Sequence, residues 1–291
     1  MPNYSDTKVK ELNSRQILRN FQKPYDLVNM TGSKVIVTGA KGFIGKRLVT
    51  ALKKNNYEVI EIDIPGIDIT KIDSVDPEII KLFSDADALF HLSVMNLENC
   101  KTNYRGCIDT NVTGTATLME LAKKVGIRRV IFSSASSIYG DPLTSIVEES
   151  HPQMPMTIYG ATKLAAEKII HSYSQNFDLT YGIFRFTNVY GPGQVNGLIP
   201  NVINKLLRSE LISITGTGLQ TRDFVYVDDV VRILIESISA PKYSFICNLG
   251  SGTQYKINDI VKLLSSLTGK TAYTTNTQIQ NDRKTFRADV S

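Results

Sequence analysis

Three glycines separate a short β-rich run, Val35–Thr38, from a helical stretch that reaches about Lys54. Gly39, Gly42 and Gly45 have GxxGxxG spacing. No other feature of the chain restricts its fold as strongly. Gly39 permits a tight turn out of the strand, Gly42 lets backbone N–H groups approach an anion, and Gly45 lets the helix pack closely on the sheet. Unpaired N–H groups and the helix dipole then favour a phosphate at the helix start. A glycine triad alone is a weak signal. Here it leaves a strand, opens a helix, and is followed by a second strand, Glu58–Ile62, ending at Asp63, 24 residues beyond Gly39. A carboxylate there can accept both hydroxyls of an adenosine ribose and repels a 2′-phosphate, which predicts NAD rather than NADP. The alternative is that Asp63 only caps a loop. Asp68, beside Ile69, suits an adenine amino group, or equally a turn. The cofactor contacts expected are Gly39, Lys41, Gly42, Phe43, Ile44, Gly45, Asp63, Asp68, Ile69 and Leu92, with Tyr159 and Lys163.

From Lys34 onward, strand and helix alternate. Strands are expected at Ala88–Leu92, Arg129–Phe132 and Leu179–Phe184, and helices at Pro77–Phe83, Thr110–Lys124 and after Tyr159. This rhythm implies an α/β fold, a doubly wound parallel sheet of Rossmann type covered on both faces. After Asn188 the rhythm loosens into a smaller C-terminal substrate-binding lobe interwoven with the core. Its expected elements are helices at Ile199–Arg208, Asp228–Ser239 and Asn258–Leu267, the last capped by Asn258. Strands are expected at Ile212–Ile214 and Phe245–Leu249, with a Gly/Thr loop at Thr215–Asp223. The organisation predicted is an N-terminal extension (1–33, with an amphipathic helix capped by Ser5 or Asp6), a cofactor-binding core (34–188) and the lobe (189–291).

Composition excludes several classes. The formal charge of +5 is spread along the chain, and no basic run suggests nucleic acid. No apolar run approaches a membrane span and no signal segment is present, so a cytoplasmic setting is expected. Three histidines, without an HExxH or Cys/His cluster, give no basis for a metal. Cys100, Cys107 and Cys247 are read as reduced thiols, because they are odd in number and form no CxxC pair.

Tyr159 and Lys163 stand four apart at the start of a helix, so phenol and ammonium share one face. A free tyrosine, with a pKa of about 10, is a poor base at neutral pH. A neighbouring Lys⁺ and the positive nicotinamide of NAD favour the phenolate. Such a tyrosine can take the proton of a sugar hydroxyl as hydride leaves its carbon. Upstream, Phe132-Ser-Ser-Ala-Ser-Ser-Ile-Tyr-Gly-Asp141 sets hydroxyls at the C-terminal end of a strand, where doubly wound sheets bind ligands.

With Thr38–Gly45, Asn111 before Gly114-Thr115, and Arg185-Phe-Thr-Asn188-Val-Tyr-Gly-Pro192, these motifs make the chain resemble the extended short-chain dehydrogenase/reductases. Within them it is similar to the NAD-dependent nucleotide-sugar epimerase/dehydratase family, from about Lys34 to Ser291. The resemblance implies that Tyr159 is the base and that Lys163 activates it and holds a ribose. It also implies that Asn188 contacts the sugar diphosphate, that Arg222 pairs with nucleotide phosphates, and that the chain forms a homodimer. The competing reading of Arg222 is an ion pair with Asp223. His91 is expected at the strand end lining the cofactor, as a satisfied rather than catalytic residue. Arg283 is the nearest candidate for a second phosphate arginine. The chain stops before the further helix such proteins usually carry, which predicts a truncated or compact C-terminus.

One departure stands out. The family's usual Ser/Thr position is occupied by Ala135, leaving Ser134, Ser136 and Ser137 as competing substitutes, Ser136 or Ser137 foremost. Ser137 also falls where dehydratases and decarboxylases carry an acid, which argues against those chemistries. The activity implied is epimerisation of a nucleotide-diphosphate sugar, most often at C4, through a keto-sugar intermediate. The alternatives are dehydration, decarboxylation or reduction on the same fold, or a non-catalytic NAD-binding regulatory or scaffold protein.

Overall fold

The strands at the centre of the molecule are buried on both faces, so they read in sequence as continuous apolar runs. In the computed structural model, which describes residues 32–144, 146–239 and 243–277, Val35, Ile36 and Val37 of β1 (Lys34–Thr38) have no exposed surface. The same sheet holds β2 (Glu58–Ile62), β3 (Ala88–His91), β4 (Arg129–Ala135) and β5 (Thr180–Phe186). Short pieces follow: β6 (Asn188–Tyr190), β7 (Ile212–Thr215), β8 (Thr221–Arg222) and β9 (Phe224–Tyr226). The next strand, β10 (Phe245–Leu249), returns to the edge of the main sheet beside β5. The six-stranded order is β10-β5-β4-β3-β1-β2, all parallel. Strand order therefore reverses between β1 and β3, and ligands bind at such a point in open α/β sheets.

Helices cover both faces. On one side α1 (Phe43–Lys54) buries Leu48 and Leu52 against the sheet. On the other lie α2 (Pro77–Phe83) and, further along the chain, α5 (Gly114–Val125) and α6 (Ile158–Asn176), which supply Phe83, Leu118, Ala122, Ala166 and Ile170. Between them run two short helices, α3 (Leu97–Thr102) and α4 (Tyr104–Ile108), and a π-helical turn at Asp109–Thr113. The smaller lobe has its own core. There α7 (Leu198–Leu207) packs Val202 and Leu206 on Ile212 and Ile214 of β7, together with Ile257 and Val261. The last two residues belong to α9 (Ile257–Thr268), while α8 (Val227–Glu236) returns to the α1 side of the main sheet.

Several expectations change. Thr110–Lys124 is not one helix, because its first residues form the π turn. Asn258 does not cap α9: Lys256 occupies the cap position without a side-chain bond, and Asn258 donates from Nδ2 to the Thr217 carbonyl instead. The Thr215–Asp223 loop contains β8, paired antiparallel with β11 (Tyr255–Lys256). β12 (Thr274–Thr277) pairs with β7. Cys100 and Cys107 are joined as a disulfide, and Cys247 alone is a free, buried thiol. The count of three concealed this pair, because the fold-back of α3 on α4 brings the two sulfurs together. The expected N-terminal helix with Ser5 and Asp6, and Arg283, lie outside the described residues. Among those residues, no helix is long and apolar enough to cross a membrane.

Candidate active site

The glycine turn occupies the switch point. Gly39 leaves β1 at φ +69°, and a Cβ there would lie 2.7 Å from the Leu92 carbonyl carbon and the Ser93 nitrogen at the end of β3. A Cβ on Gly45 would meet the Gly39 oxygen at 2.0 Å. Gly42 caps α1 with no side-chain bond, and the first turn of α1 has no acid. The positive end of the helix is thus left for an anion. Asp63 closes the turn from beside it. Its Oδ2 accepts the Lys41 N–H at 2.7 Å and its Oδ1 accepts the Ile64 N–H at 2.8 Å. We expect Gly45→Ala to abolish NAD retention and lower the melting temperature, as read by calorimetry with and without NAD.

A cavity of about 1260 Å³ runs from this turn. Typical small-molecule pockets hold about 300–1,000 Å³, so this one has room for a dinucleotide and a second ligand. Its lining includes the glycine turn with Lys41, Phe43 and Ile44, then Leu92, Ser133, Ser134, Tyr159 and Lys163, and finally Pro192–Asn196. The open helix end, the closely packed glycines and the volume of the cavity fit an elongated diphosphate cofactor.

Tyr159 stands in the first turn of α6, which Thr157 caps by accepting the Gly160 N–H at 3.0 Å. Lys163 is 2 % exposed, and its Nζ lies 4.2 Å from the Phe132 ring centroid. Burial pulls the Lys163 ammonium down to about 7, opposed by the Glu167 carboxylate. Burial pushes the Tyr159 phenol up to about 12. The expected preference for phenolate requires both Lys163 and the positive nicotinamide; in the protein without NAD, desolvation sets the direction. The positive nicotinamide of bound NAD would add to the Lys163 charge in favouring the phenolate. The pH consequence follows directly. Without NAD, Tyr159 should stay protonated until about pH 12, and saturating NAD should move its ionisation to lower pH, as followed by phenolate absorbance against Tyr159→Phe.

His91 is satisfied rather than catalytic. Thr115 donates its hydroxyl to the Asn111 carbonyl, so its oxygen accepts from His91 Nε2–H, and Thr38 Oγ1 donates to Nδ1, both at 2.9 Å. Full burial pushes the imidazole down to about 3, with the Lys163 charge adding to the effect. A second chain of bonds reaches Tyr159. Asn111 Nδ2 donates to Thr162 Oγ1 at 3.0 Å, and Thr162 donates to the Tyr159 carbonyl at 2.8 Å.

The three serines separate. Ser134 donates to Glu167, which is itself paired with Arg185. Ser136 is 5 % exposed and has an interaction of its own. Ser137 carries a buried hydroxyl with no hydrogen-bond partner among the described residues. Its carbonyl lies 2.7 Å from where a Cβ on Gly160 would sit, next to Tyr159.

Other expected residues lie outside the cavity lining, among them Asp63, Ser136 and Ser137. Asp68 accepts from the Thr70 N–H and hydroxyl at 3.0 and 2.8 Å, the geometry of a turn, and these bonds hold its carboxyl below the usual range. Ile69 packs into the core, with its Cδ1 against Gly114. Asn188 opens the β6–β9 ribbon opposite Phe224 and donates from Nδ2 to the Asp223 carbonyl at 2.9 Å, while Arg222 lies on β8 opposite Tyr255. The Asp223 carboxylate accepts from Ser251 and Gly252, and Arg222 Nη1 donates to the Thr221 carbonyl. Sequence reasoning missed Val94, Asn96 and Gln194 in the lining, and Glu167 beneath Lys163. Glu167 alone carried a signal, standing at i+4 from Lys163.

A parallel sheet with a glycine turn at its switch point, and a half-buried Tyr159 beside the buried Lys163 in the same cavity, defines a dinucleotide-dependent enzyme of the extended short-chain dehydrogenase/reductase type. The profile of the NAD dependent epimerase/dehydratase family matches residues 35–250. The chain belongs to that family, and its cofactor is NAD. It is 31% identical over 263 residues to the UDP-glucuronate 4-epimerase of Thermodesulfobacterium geofontis, covering 81% of each chain. It is 27% identical to the dTDP-D-glucose 4,6-dehydratase of Homo sapiens, over 86% of this chain and 78% of that protein. Its fold matches the crystal structure of UDP-glucuronic acid 4-epimerase from Bacillus cereus in complex with UDP-glucuronic acid and NAD. That match has a TM-score of 0.80 and 30% identity, over 88% of this chain and 90% of the other.

Proposed function

We propose that the protein is an NAD-dependent epimerase of a nucleotide-diphosphate sugar, similar to the UDP-hexose and UDP-hexuronate 4-epimerases, acting through a transient keto sugar. The observation that carries this reading is the cavity itself, which has the glycine turn on one wall and Tyr159 with Lys163 on another. Bound NAD supplies an acceptor and donor of hydride at the sugar carbon. Tyr159 Oη takes the proton of the sugar hydroxyl and returns it to the keto oxygen. Lys163 holds a cofactor ribose and keeps positive charge near the phenolate. Gly39, Gly42 and Gly45 give the diphosphate its close approach, and Asp63 faces the adenosine ribose. Asn188 and Arg222 hold the sugar nucleotide by its phosphates while the flat keto ring turns, so remote binding energy orients the reacting carbon.

Ser137 supplies the hydroxyl that Ala135 lacks. This is supported by its unpartnered buried oxygen and by the engagement of Ser134 with Glu167. Ser137→Ala should lower kcat about 10²-fold, as loss of a preorganised donor does. Ser134→Ala should mainly lower the melting temperature. Equal kcat losses in the two variants would remove the assignment. Dehydration and decarboxylation need an acid beside the tyrosine, and this strand end offers Ser136 and Ser137. A homodimer built on α5 and α6, a cytoplasmic setting where NAD and nucleotide sugars are made, and a substrate lobe beginning near residue 189 complete the proposal.

The test is a panel of UDP-hexoses and UDP-hexuronic acids, with C4 configuration followed by NMR. The expected product is the C4 epimer without net NADH. Loss of water or carbon dioxide, or NADH accumulating without an epimer, would contradict the reading.

A further inference from the structure

The bond route that fixes Tyr159 begins beside two sulfurs. Cys100 on α3 and Cys107 on α4 are 2 % and 0 % exposed, with Cα atoms 5.2 Å apart, inside the range of about 4.4–6.8 Å that a disulfide requires. Asn111 Nδ2 lies 3.5 Å from Cys107 Sγ and 3.9 Å from Cys100 Sγ. The same amide donates to Thr162, and Thr162 to the Tyr159 carbonyl. On its other side Asn111 clasps Met95, accepting its N–H at 2.8 Å and donating to its carbonyl at 3.1 Å. Met95 sits between Val94 and Asn96, which line the cavity. One cross-link therefore bears on both the wall segment 94–96 and the turn that carries Tyr159.

We propose that Cys100 and Cys107 are a thiol/disulfide modification site that sets the order of this wall and, through Asn111 and Thr162, the placement of Tyr159. Helices of six and five residues are too short to persist by themselves, so the cross-link is what holds α3 to α4. Reduction is a two-electron exchange with a dithiol. A thiolate attacks one sulfur, the S–S bond breaks to a mixed disulfide, and the second thiol of the reductant closes its own disulfide, leaving two protein thiols. Each new S–H has an acceptor at hand. The Met95 carbonyl is 3.3 Å from Cys100 Sγ, and Thr162 Oγ1 is 3.7 Å from Cys107 Sγ. Both acceptors are ones that Asn111 uses in the oxidised form, so reduction competes with the bonds that position Tyr159. A disulfide in a cytosolic protein is characteristically a transient, redox-sensing one, which matches the setting proposed above.

The effect on turnover rests on the epimerase reading; the effect on structure does not. The protein is equilibrated with dithiothreitol and its cyclic disulfide at a series of reduced-to-oxidised ratios, then denatured and alkylated, and its mass is measured. At the oxidised end one alkylated cysteine, Cys247, is expected, and at the reduced end all three. Across the same series, amide exchange over residues 94–113 should accelerate at least tenfold and kcat should fall at least threefold, reversibly. Cys100→Ser/Cys107→Ser should behave like the reduced protein at every ratio. Three alkylated cysteines at every ratio, or oxidised-like exchange in the double variant, would overturn the proposal. If no nucleotide sugar is turned over at all, the epimerase reading fails, and alkylation and exchange still decide this one.

Discussion

Tyr159→Phe should lower kcat by about 10²–10⁴-fold, the usual contribution of a positioned general base, while NAD stays bound. The phenol sits in the first turn of a 19-residue helix, and the ring packing is the same without the oxygen. The other cofactor contacts proposed above, on the glycine turn, Asp63 and Lys163, are untouched by this substitution. A retained dinucleotide with lost turnover therefore separates proton transfer from binding. The burial that pushes the phenol up to about 12 also makes its ionisation depend on the cofactor's positive charge. NAD should then matter to this variant's stability but no longer to any phenolate absorbance at position 159. Turnover within tenfold of the parent would mean that another group takes the proton.

Arg185→Met should cost about 3–5 kcal/mol, because it leaves a buried carboxylate without its partner. The Arg185 and Glu167 side chains are 0 % and 2 % exposed, and Nη2 meets Oε2 at 2.8 Å. Nη1 donates to Tyr139 Oη and to the Glu149 carbonyl, each at 2.8 Å. Tyr139 in turn donates its hydroxyl to Asn248 Oδ1 at 2.7 Å. This network joins β4, α6, β5 and β10 directly beneath Lys163, and the Glu167 carboxylate opposes the burial that weakens the Lys163 charge. Removing both charges is less costly than removing one. Arg185→Met/Glu167→Gln should thus recover part of the loss in urea denaturation. A double variant no more stable than Arg185→Met would show that packing, not the unpaired charge, sets the cost.

The main sheet and its helices were legible because burial on both faces writes a strand as an unbroken apolar run and a helix as a stripe. Phe245–Leu249 and Pro77–Phe83 match their expected bounds, the latter because Asp76 caps and Pro77 opens it. The glycine turn was legible because backbone geometry dictates residue type there. What stayed hidden depends on partners distant in sequence. α3 and α4 are too short to show a helical period, and they leave Leu97, Tyr104 and Ile108 exposed, so burial does not sort their residues by type. The pairing of Cys100 with Cys107 exists only once those helices fold back. β6, β8 and β11 are two or three residues each and owe their form to the strand alongside. Ser134 and Ser137 look alike in sequence; they differ because Glu167, on another helix, claims one of them. The phenol's upward shift was likewise invisible, since spacing reports neighbours but not desolvation.

The central claim is that Tyr159 and a resident NAD oxidise and re-reduce the same sugar carbon. A UDP-hexose carrying deuterium at C4 tests it most directly, with the label located in both epimers by NMR and mass spectrometry. The account predicts that the deuterium stays at C4 through inversion and that none appears in solvent. Washout of the label into water would mean that the carbon exchanges a proton, and the redox mechanism assigned to this site would be wrong.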